Sequence, residues 1–193
     1  QHIGLEDSWS IAEIAIHPTN PDIVMVAVLG HLWSTNKNRG LYQTTNGGKT
    51  WQQVLYKNDS TGANDIVIAP TNPKIMYASM WELYPGISGK NSAVYRSEDG
   101  GKTWIVCNNG LPSGPKTGRI GLTVSYTNPL KAYALIDNLD NAPGTSGELY
   151  KTTDGGISWK KTHKDSLKFF SVIGWYFTDV YVNPKDDEEI YCL

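Results

Sequence analysis

Short apolar runs divided by polar turns recur along the whole chain. The phrase IHPTNPDIVMVAV begins at Ile16 and returns as IAPTNPKIMYASM from Ile68, VSYTNPLKAYALI from Val124 and, in degraded form, VNPKDDEEIYCL from Val182. In each copy an apolar run of strand length precedes an Asn-Pro turn, and a second run follows it. Because the 3.6-residue period of an amphipathic helix is missing, the pattern predicts β-hairpins.

A second phrase recurs out of phase with the first. It reads YQTTNGGKTW from Tyr42, YRSEDGGKTW from Tyr95 and YKTTDGGISW from Tyr150. Its closing tryptophans, Trp51, Trp104 and Trp159, are 53 and 55 residues apart. A Tyr-bearing strand, a Gly-Gly turn and a Trp-led strand therefore complete each unit, which has four strands in all.

Four strands in a fixed period of roughly 54 residues are typical of a propeller blade. The sequence predicts an all-β fold, in which residues 1–193 form one β-propeller fragment built of four-stranded antiparallel blades. The predicted blades span 11–56, 63–107 and 118–163, and a fourth begins at 177–193. Closed propellers have ~4 to 8 blades, so about three and a half blades are expected to belong to a larger propeller. An open arc would expose an apolar face at each end, so the expected partner is the remainder of the propeller or another chain that closes it.

Composition and charge exclude several classes of function. The net charge is only −2, and no basic cluster interleaved with aromatic residues is present, so we expect no nucleic-acid partner. The longest apolar run, Ile23 to Leu29, is far shorter than the ~20 residues of a membrane span. The four histidines show no ligand spacing with one another or with the cysteines, so neither a metal nor a cofactor is expected. Cys107 and Cys192 are predicted to be buried free thiols.

The Gly-Gly turn fits the pattern Ser/Thr, any, Asp, any, Gly, any, Ser/Thr, Trp, and it resembles the Asp-box or BNR repeat. Turn chemistry alone requires such residues: an acceptor for turn amides, a glycine for positive φ and an indole that packs between sheets. The first copy has Asn46 in place of the aspartate, which favours a structural role over metal binding or acid–base work. The predicted structural residues are Thr44, Asn46, Gly48, Thr50, Trp51, Ser97, Asp99, Gly101, Thr103, Trp104, Thr152, Asp154, Gly156, Ser158 and Trp159.

Two longer segments narrow the resemblance. LGHLWSTNKNRGLYQTTNGGKTW from Leu29 and TGRIGLTVSYTNPLKAYALI from Thr117 are most similar to the bacterial sortilin-like (VPS10-like) BNR proteins, which are loosely called glycosyl hydrolases. This resemblance implies a secreted, periplasmic or cell-surface location. Related Asp-box propellers include both enzymes and pure binders, so the fold does not imply the function.

One face of the predicted propeller carries the long, varied loops, and a rigid scaffold places function on such loops. The loops are 31–39, 82–92 and 137–146, together with the crossings 57–63, 108–116 and 163–174. Their aromatic and charged side chains are the predicted ligand contacts, by stacking or ion pairing. These residues are His31, Trp33, Trp81, Glu82, Tyr84, Arg119, Trp175 and Tyr176. Packing beneath the loops is the alternative for the aromatic residues.

Aligning the first strands of the blades places Glu13, Asp65, Gly121 and Asp179 at one equivalent position. First strands are innermost in a propeller, so the three carboxylates are predicted to meet near the axis. Paired carboxylates are the catalytic groups of glycoside hydrolysis, which makes these three the candidate catalytic residues. Solvated channel acids, or hydrogen-bond partners of the backbone, are the alternative.

The sequence leaves three classes of function open. The first is a propeller that binds a glycan or peptide on the long-loop face, since every clear motif is structural while aromatic residues gather in those loops. The second is a glycoside hydrolase that uses the axial carboxylates. The third is an assembly protein that holds partners together.

Overall fold

The computed structural model describes residues 3–142, 144–164 and 174–193. In those ranges every regular element is a β-strand. No helix in the described residues is long and apolar enough to cross a membrane. The first sheet contains β1 (Ser10–Ile16), β2 (Val24–Gly30), β3 (Gly40–Thr44) and β4 (Gln52–Leu55). The second contains β5 (Thr61–Ile68), β6 (Met76–Glu82), β7 (Ala93–Ser97) and β8 (Ile105–Val106). The third contains β9 (Thr117–Val124), β10 (Ala132–Asn138), β11 (Gly147–Thr152) and β12 (Lys160–Lys161), and a hairpin of β13 (Val180–Asn183) and β14 (Asp186–Cys192) follows.

Each sheet is an antiparallel meander whose strand order is the chain order. The Asn-Pro turn joins the first two strands of a sheet, and the Gly-Gly turn joins the last two. The first strands β1, β5, β9 and β13 contact one another in sequence, so they are the innermost strands around the axis. The prediction of an all-β propeller with three four-stranded blades and half of a fourth is therefore confirmed. We call the sheets blades 1 to 4 in chain order.

The hydrophobic core lies between the blades, in three clusters. Met25, Ala27 and Leu41 of blade 1 pack against Ile66 and Met80 of blade 2. The next two clusters, between blades 2 and 3 and between blades 3 and 4, repeat this arrangement. Blades 2 and 3 thus each bury one apolar face against the blade before it and the other against the blade after it. Cys107 is buried in the second cluster, whereas Cys192 is only partly buried, and both thiols are free.

The Asp-box turns close by side-chain hydrogen bonds to their own backbone. The Thr152 hydroxyl accepts from the Gly156 amide at 2.8 Å and donates to Asp154 Oδ1 at 2.8 Å. Asp154 Oδ1 also accepts from the Ser158 amide at 3.0 Å, and its Oδ2 accepts from the Ser158 hydroxyl at 2.6 Å. These contacts, led by the Ser158 hydroxyl, lower the pKa of Asp154 to about 2.

The first turn has the same geometry with an amide in place of the carboxylate. Asn46 Oδ1 accepts from the Thr50 amide at 3.0 Å, while its Nδ2 donates to the Thr50 hydroxyl at 2.8 Å. The hydroxyl therefore accepts here, although the corresponding Thr103 hydroxyl donates to Asp99 Oδ2 at 2.7 Å. A neutral side chain can make every contact that the turn needs.

We expect Asp154→Ala to lower the midpoint of thermal unfolding and Asp154→Asn to lower it less, because asparagine keeps the acceptor of the Ser158 amide. The folded-state pKa of Asp154 lies below its ordinary value of 3.8, so its stabilisation is present above pH ~4 and is lost as the pH falls towards about 2. Melting curves of the wild type and of Asp154→Ala should therefore converge over that range. A difference that is equally large at pH 2 and pH 6 would contradict this account.

Candidate functional site

Two of the three candidate carboxylates, Glu13 and Asp65, lie on innermost strands, and Asp179 directly precedes the innermost strand β13. Asp65 is the most buried of the three, and backbone amides hold both of its oxygens. Asp65 Oδ1 accepts from its neighbour, the Ile66 amide, at 2.7 Å, and Oδ2 accepts from the Leu122 amide of the next blade at 2.7 Å. Glu13 is more exposed, and its Oε1 accepts from the Ile14 amide at 3.0 Å. Asp65 is thus fixed between two blades, whereas Glu13 is held on one side only.

The three groups interact electrostatically. Burial, followed by the negative charges of Glu13 and Asp179, raises the pKa of Asp65 to about 7, even though the two backbone amides act in the opposite direction. The pKa of Tyr181 is raised by burial and by the same three carboxylates. The structure therefore brings Glu13, Asp65 and Asp179 into one electrostatic cluster, in which Asp65 is the group that can carry a proton near neutral pH.

The fourth position of this ring is a glycine for a steric reason. A Cβ atom built on Gly121 would lie 1.7 Å from the carbonyl oxygen of Thr178, at the entry to blade 4. No side chain fits where the two backbones approach so closely. Blade 3 therefore contributes no side chain to the cluster at this position.

Arg119 connects the carboxylates to an aromatic segment. Its Nη2 lies 3.5 Å from Asp179 Oδ1, and its Nη1 donates to the carbonyl oxygen of Tyr176. The rings of Trp175 and Tyr176 meet edge to face at 5.7 Å between centroids, and those of Tyr176 and Phe177 at 4.9 Å. All three rings are exposed. Phe177 was not predicted from the sequence. Its ring extends the predicted pair Trp175 and Tyr176 to a row of three exposed aromatic residues.

The loop between β2 and β3 displays Trp33, which is 83% exposed. The Arg39 side chain, which is completely buried, ties the backbone of this loop together. The guanidinium donates to the carbonyl oxygens of Leu29, His31, Ser34 and Asp59. Sequence reasoning had no signal for this role of Arg39, since an arginine in a polar loop is ordinarily solvated.

Trp9 joins this loop from the segment before β1. Its ring lies 4.6 Å from that of His31, and its indole N–H donates to Asp7 Oδ1 at 3.0 Å. His31 also contacts Ser34 Oγ at 3.0 Å. Trp9 precedes the first repeat, so no periodic pattern pointed to it. The rings of Trp9 and His31 therefore form an aromatic pair next to the loop that displays Trp33.

The loop between β6 and β7 differs from the expectation of a ligand contact. Trp81 is 5% exposed, and its indole N–H donates to the carbonyl oxygen of Ile87 at 2.8 Å. Glu82 Oε2 accepts from the Asn91 amide at 2.9 Å, and Tyr84 is half-buried ahead of a cis peptide bond to Pro85. The ring of Trp81 and the carboxylate of Glu82 support the loop, because both residues lie at the end of the buried strand β6 and contact the loop backbone. Trp81 is therefore corrected from a stacking residue to a packing residue.

One predicted loop and one groove of the structure lie outside the candidate site. Most of the crossing 163–174 lies outside the described residues, so it is not assigned to the site.

A groove of about 710 Å³ lies beside blade 3, between Lys151, Lys161 and Glu188, away from the axial carboxylates. Its position corresponds to the space that the outer strands of a complete fourth blade would fill.

Comparison with known proteins agrees with this architecture. Residues 150–161 match the family model described as BNR/Asp-box repeat. A probable oligoxyloglucan-reducing end-specific xyloglucanase of Neosartorya fischeri is 31% identical over 102 residues, which are 51% of this chain and 12% of that protein. A xyloglucanase of a Paenibacillus species is 26% identical over 179 residues, which are 79% of this chain and 16% of that protein. The chain thus spans less than a fifth of the length of these curated relatives.

Solved structures show the same fold. The GH74 enzyme of Niastella koreensis superimposes with a TM-score of 0.70 at 16% identity, over 93% of this chain and 27% of that one. The GH74 xyloglucanase from Xanthomonas campestris gives 0.69 at 16% identity, over 98% and 27%. At these identities the likeness concerns the fold alone. The repeat and the architecture together define the class: the fold is that of a BNR/Asp-box β-propeller, of which about three and a half blades are present.

The raised pKa of Asp65 gives the fold a pH dependence of known sign. An unfolded aspartate titrates near 3.8 and the folded one at about 7, so the folded state binds the extra proton between these values. The free energy of unfolding should therefore fall as the pH rises from 4 to 7, by up to about 4 kcal/mol, and then level off. Urea unfolding of the wild type and of Asp65→Asn across pH 4 to 8 should show this slope in the wild type only.

Asp99→Asn is the matched control, because the pKa of Asp99 is lowered to about 2 and its titration lies below this range. Its pH profile should parallel that of the wild type. Parallel profiles for Asp65→Asn and the wild type would contradict the assignment of a raised pKa to Asp65.

Proposed function

We propose that this propeller recognises a glycan on its long-loop face. One observation carries the proposal: the loop after β2 presents Trp33 almost fully to solvent while the buried guanidinium of Arg39 holds the loop backbone. An exposed indole on a rigid support loses little conformational entropy when a flat apolar ligand stacks on it. Sugar rings offer such a surface, and the axial carboxylates supply acceptors for their hydroxyl groups.

The relatives support a glycan as the ligand in preference to a peptide. The curated proteins similar to this chain are xyloglucanases, so a xyloglucan-type oligosaccharide is the first ligand to test. The relatives and solved structures described above include no sortilin-like protein. A secreted or cell-surface location is part of the proposal, because polysaccharides of this class are extracellular.

Trp33→Ala should weaken binding of xyloglucan oligosaccharides by ~1 kcal/mol or more, about fivefold in Kd, because a central stacking surface is lost. Isothermal titration calorimetry on the purified chain measures this change. Ile157→Ala is the matched control, since Ile157 is exposed on the opposite face, in the third Asp-box turn. Equal affinities for the wild type and Trp33→Ala would remove the loop from the site, and saturable binding of peptides alone would replace the glycan by a peptide.

Hydrolysis of the glycan is the second candidate function, and the proton on Asp65 favours it. A general acid that works near neutral pH needs a raised pKa and an ionised partner nearby. Asp65 has the first, and Glu13 and Asp179 are candidates for the second. In this mechanism Asp65 protonates the leaving oxygen, while one partner acts as base or nucleophile according to the separation of the two carboxyl groups.

Asp65→Asn should lower turnover of a xyloglucan oligosaccharide by ~10²-fold or more and leave KM nearly unchanged, because general acid catalysis contributes on this scale. Product release measured by chromatography gives both constants. Asp99→Asn, a change of the same kind on the opposite face, should leave turnover unchanged. If the wild type binds the oligosaccharide without cleaving it, glycan binding stands and hydrolysis is excluded.

A further inference from the structure

Two polar side chains of blade 2 meet at one backbone atom of blade 3. The Asn64 side chain donates from Nδ2 to the carbonyl oxygen of Ile120 at 2.8 Å, and the Ser79 hydroxyl donates to the same oxygen at 2.7 Å. Both residues are buried. The Ile120 carbonyl oxygen thus accepts two hydrogen bonds from side chains of the preceding blade.

This acceptor lies beside the backbone donor of Asp65. Strand β9 is the last strand of its sheet, so one of its edges has no strand partner there. Backbone groups of residues two apart point to the same edge of a strand, which places the Ile120 carbonyl next to the Leu122 amide. The Leu122 amide donates to Asp65 Oδ2 at 2.7 Å. Asn64 and Asp65 therefore contact this edge with one donor and one acceptor, as the backbone of a neighbouring strand would.

The pairing of β5 with β6 gathers these side chains around Asp65. Ser79 stands directly opposite Asp65, so the two side chains share the sheet face that contacts blade 3. The register shifts between Ala63 and Asp65, which makes Asn64 the extra residue of a β-bulge. A bulge turns a side chain out of the regular alternation of a strand. Asn64 and Asp65, although adjacent in the chain, therefore both contact β9.

The other two complete blades have apolar residues at both positions. Blade 1 has Ala12 in place of Asn64 and Ala27 in place of Ser79. Strand β1 nevertheless shows the same register shift, between Ile11 and Glu13. In blade 3 the two positions hold Ile120 and Leu135. A blade therefore forms and packs on the next one without the two donors, which are present in the blade whose carboxylate bonds to the backbone of its neighbour.

We propose that Asn64 and Ser79 are positioning residues for the Asp65 carboxyl. They hold the Ile120 carbonyl and thereby fix the edge of β9 where the Leu122 amide meets Asp65 Oδ2. Neither residue contacts the glycan, because both are buried beneath the strands. The proposal rests on the second candidate function, in which Asp65 donates the proton. It explains why one blade carries a polar pair that the repeat itself does not require.

The titration of Asp65 reports on its contact with β9. An amide that donates to a carboxylate favours the ionised form, so loss of the anchor should raise the pKa of Asp65. In Asn64→Ala and in Ser79→Ala the acid dissociation constant of Asp65 should fall about threefold or more, because the hydrogen bond from Leu122 weakens. Carboxyl carbon chemical shifts, followed by NMR from about pH 4 to 9, measure this constant. Blade 1 has alanine at both positions, so we expect both variants to fold.

Gln43→Ala is the matched control. The Gln43 side chain donates from Nε2 to the carbonyl oxygen of Gly100 at 2.8 Å, which is a bond of the same kind between blades 1 and 2 on the Asp-box face. Its loss should lower the midpoint of thermal unfolding and leave the pKa of Asp65 unchanged. An unchanged pKa of Asp65 in both alanine variants, or an equal rise in Gln43→Ala, would overturn the proposal.

Kinetics separate the positioning role from hydrolysis itself. If the wild type cleaves a xyloglucan oligosaccharide, Asn64→Ala should lower kcat by about tenfold with little change in KM, because the acid is misplaced. The fall of activity at alkaline pH should also move to higher pH, since the acid must be protonated to work. If the wild type does not cleave, hydrolysis fails, and the titration of Asp65 still decides whether the two residues position it. Cleavage with the same kcat and pH profile in Asn64→Ala as in the wild type would overturn the role in catalysis.

Discussion

Neighbouring blades bury apolar sheet faces against one another, and this packing holds each strand of the array in place. A four-stranded sheet that stands alone leaves two apolar faces in water, at a cost of roughly 25 cal/mol for each Å². Met25, Tyr77 and Tyr133 occupy equivalent positions on three second strands, and each is buried only because the next blade covers it. Stability of such an array is therefore shared between neighbours, and no blade is a folding unit by itself.

The same packing creates the candidate site. Because the first strands crowd together around the axis, a carboxylate on one blade reaches the backbone of the next, as the bond from the Leu122 amide to Asp65 shows. That bond belongs to the fold and to the site at once. It holds Asp65 among Glu13 and Asp179, where burial and like charge favour the protonated form. The close approach of the first strands also restricts the sequence, because only glycine at position 121 fits against the backbone of Thr178.

Under the proposed function, the structural and the ligand-binding polar residues lie on opposite faces of the propeller. The Asp-box carboxylates satisfy turn amides and are held ionised by them, so they are poorly suited to exchange protons near neutral pH. On the opposite face, loops are free to vary because internal contacts such as those of Arg39 replace the regular ladder. A ligand site on that face can change its specificity without disturbing the turns that close the blades.

The architecture could be predicted from the sequence because the repeat period and the turn chemistry are local. The spacing of Trp51, Trp104 and Trp159 predicted the blades, and the Asp-box pattern predicted the hydrogen bonds of Asp154. The alignment of first strands also predicted that Glu13, Asp65 and Asp179 would converge. Which aromatic rings are exposed to a ligand depends on long-range packing, which no local pattern shows. Trp33 and Trp81 were both predicted ligand contacts. Trp33 is exposed on a loop whose backbone the buried Arg39 holds, whereas Trp81 is buried and its indole N–H donates to the Ile87 backbone.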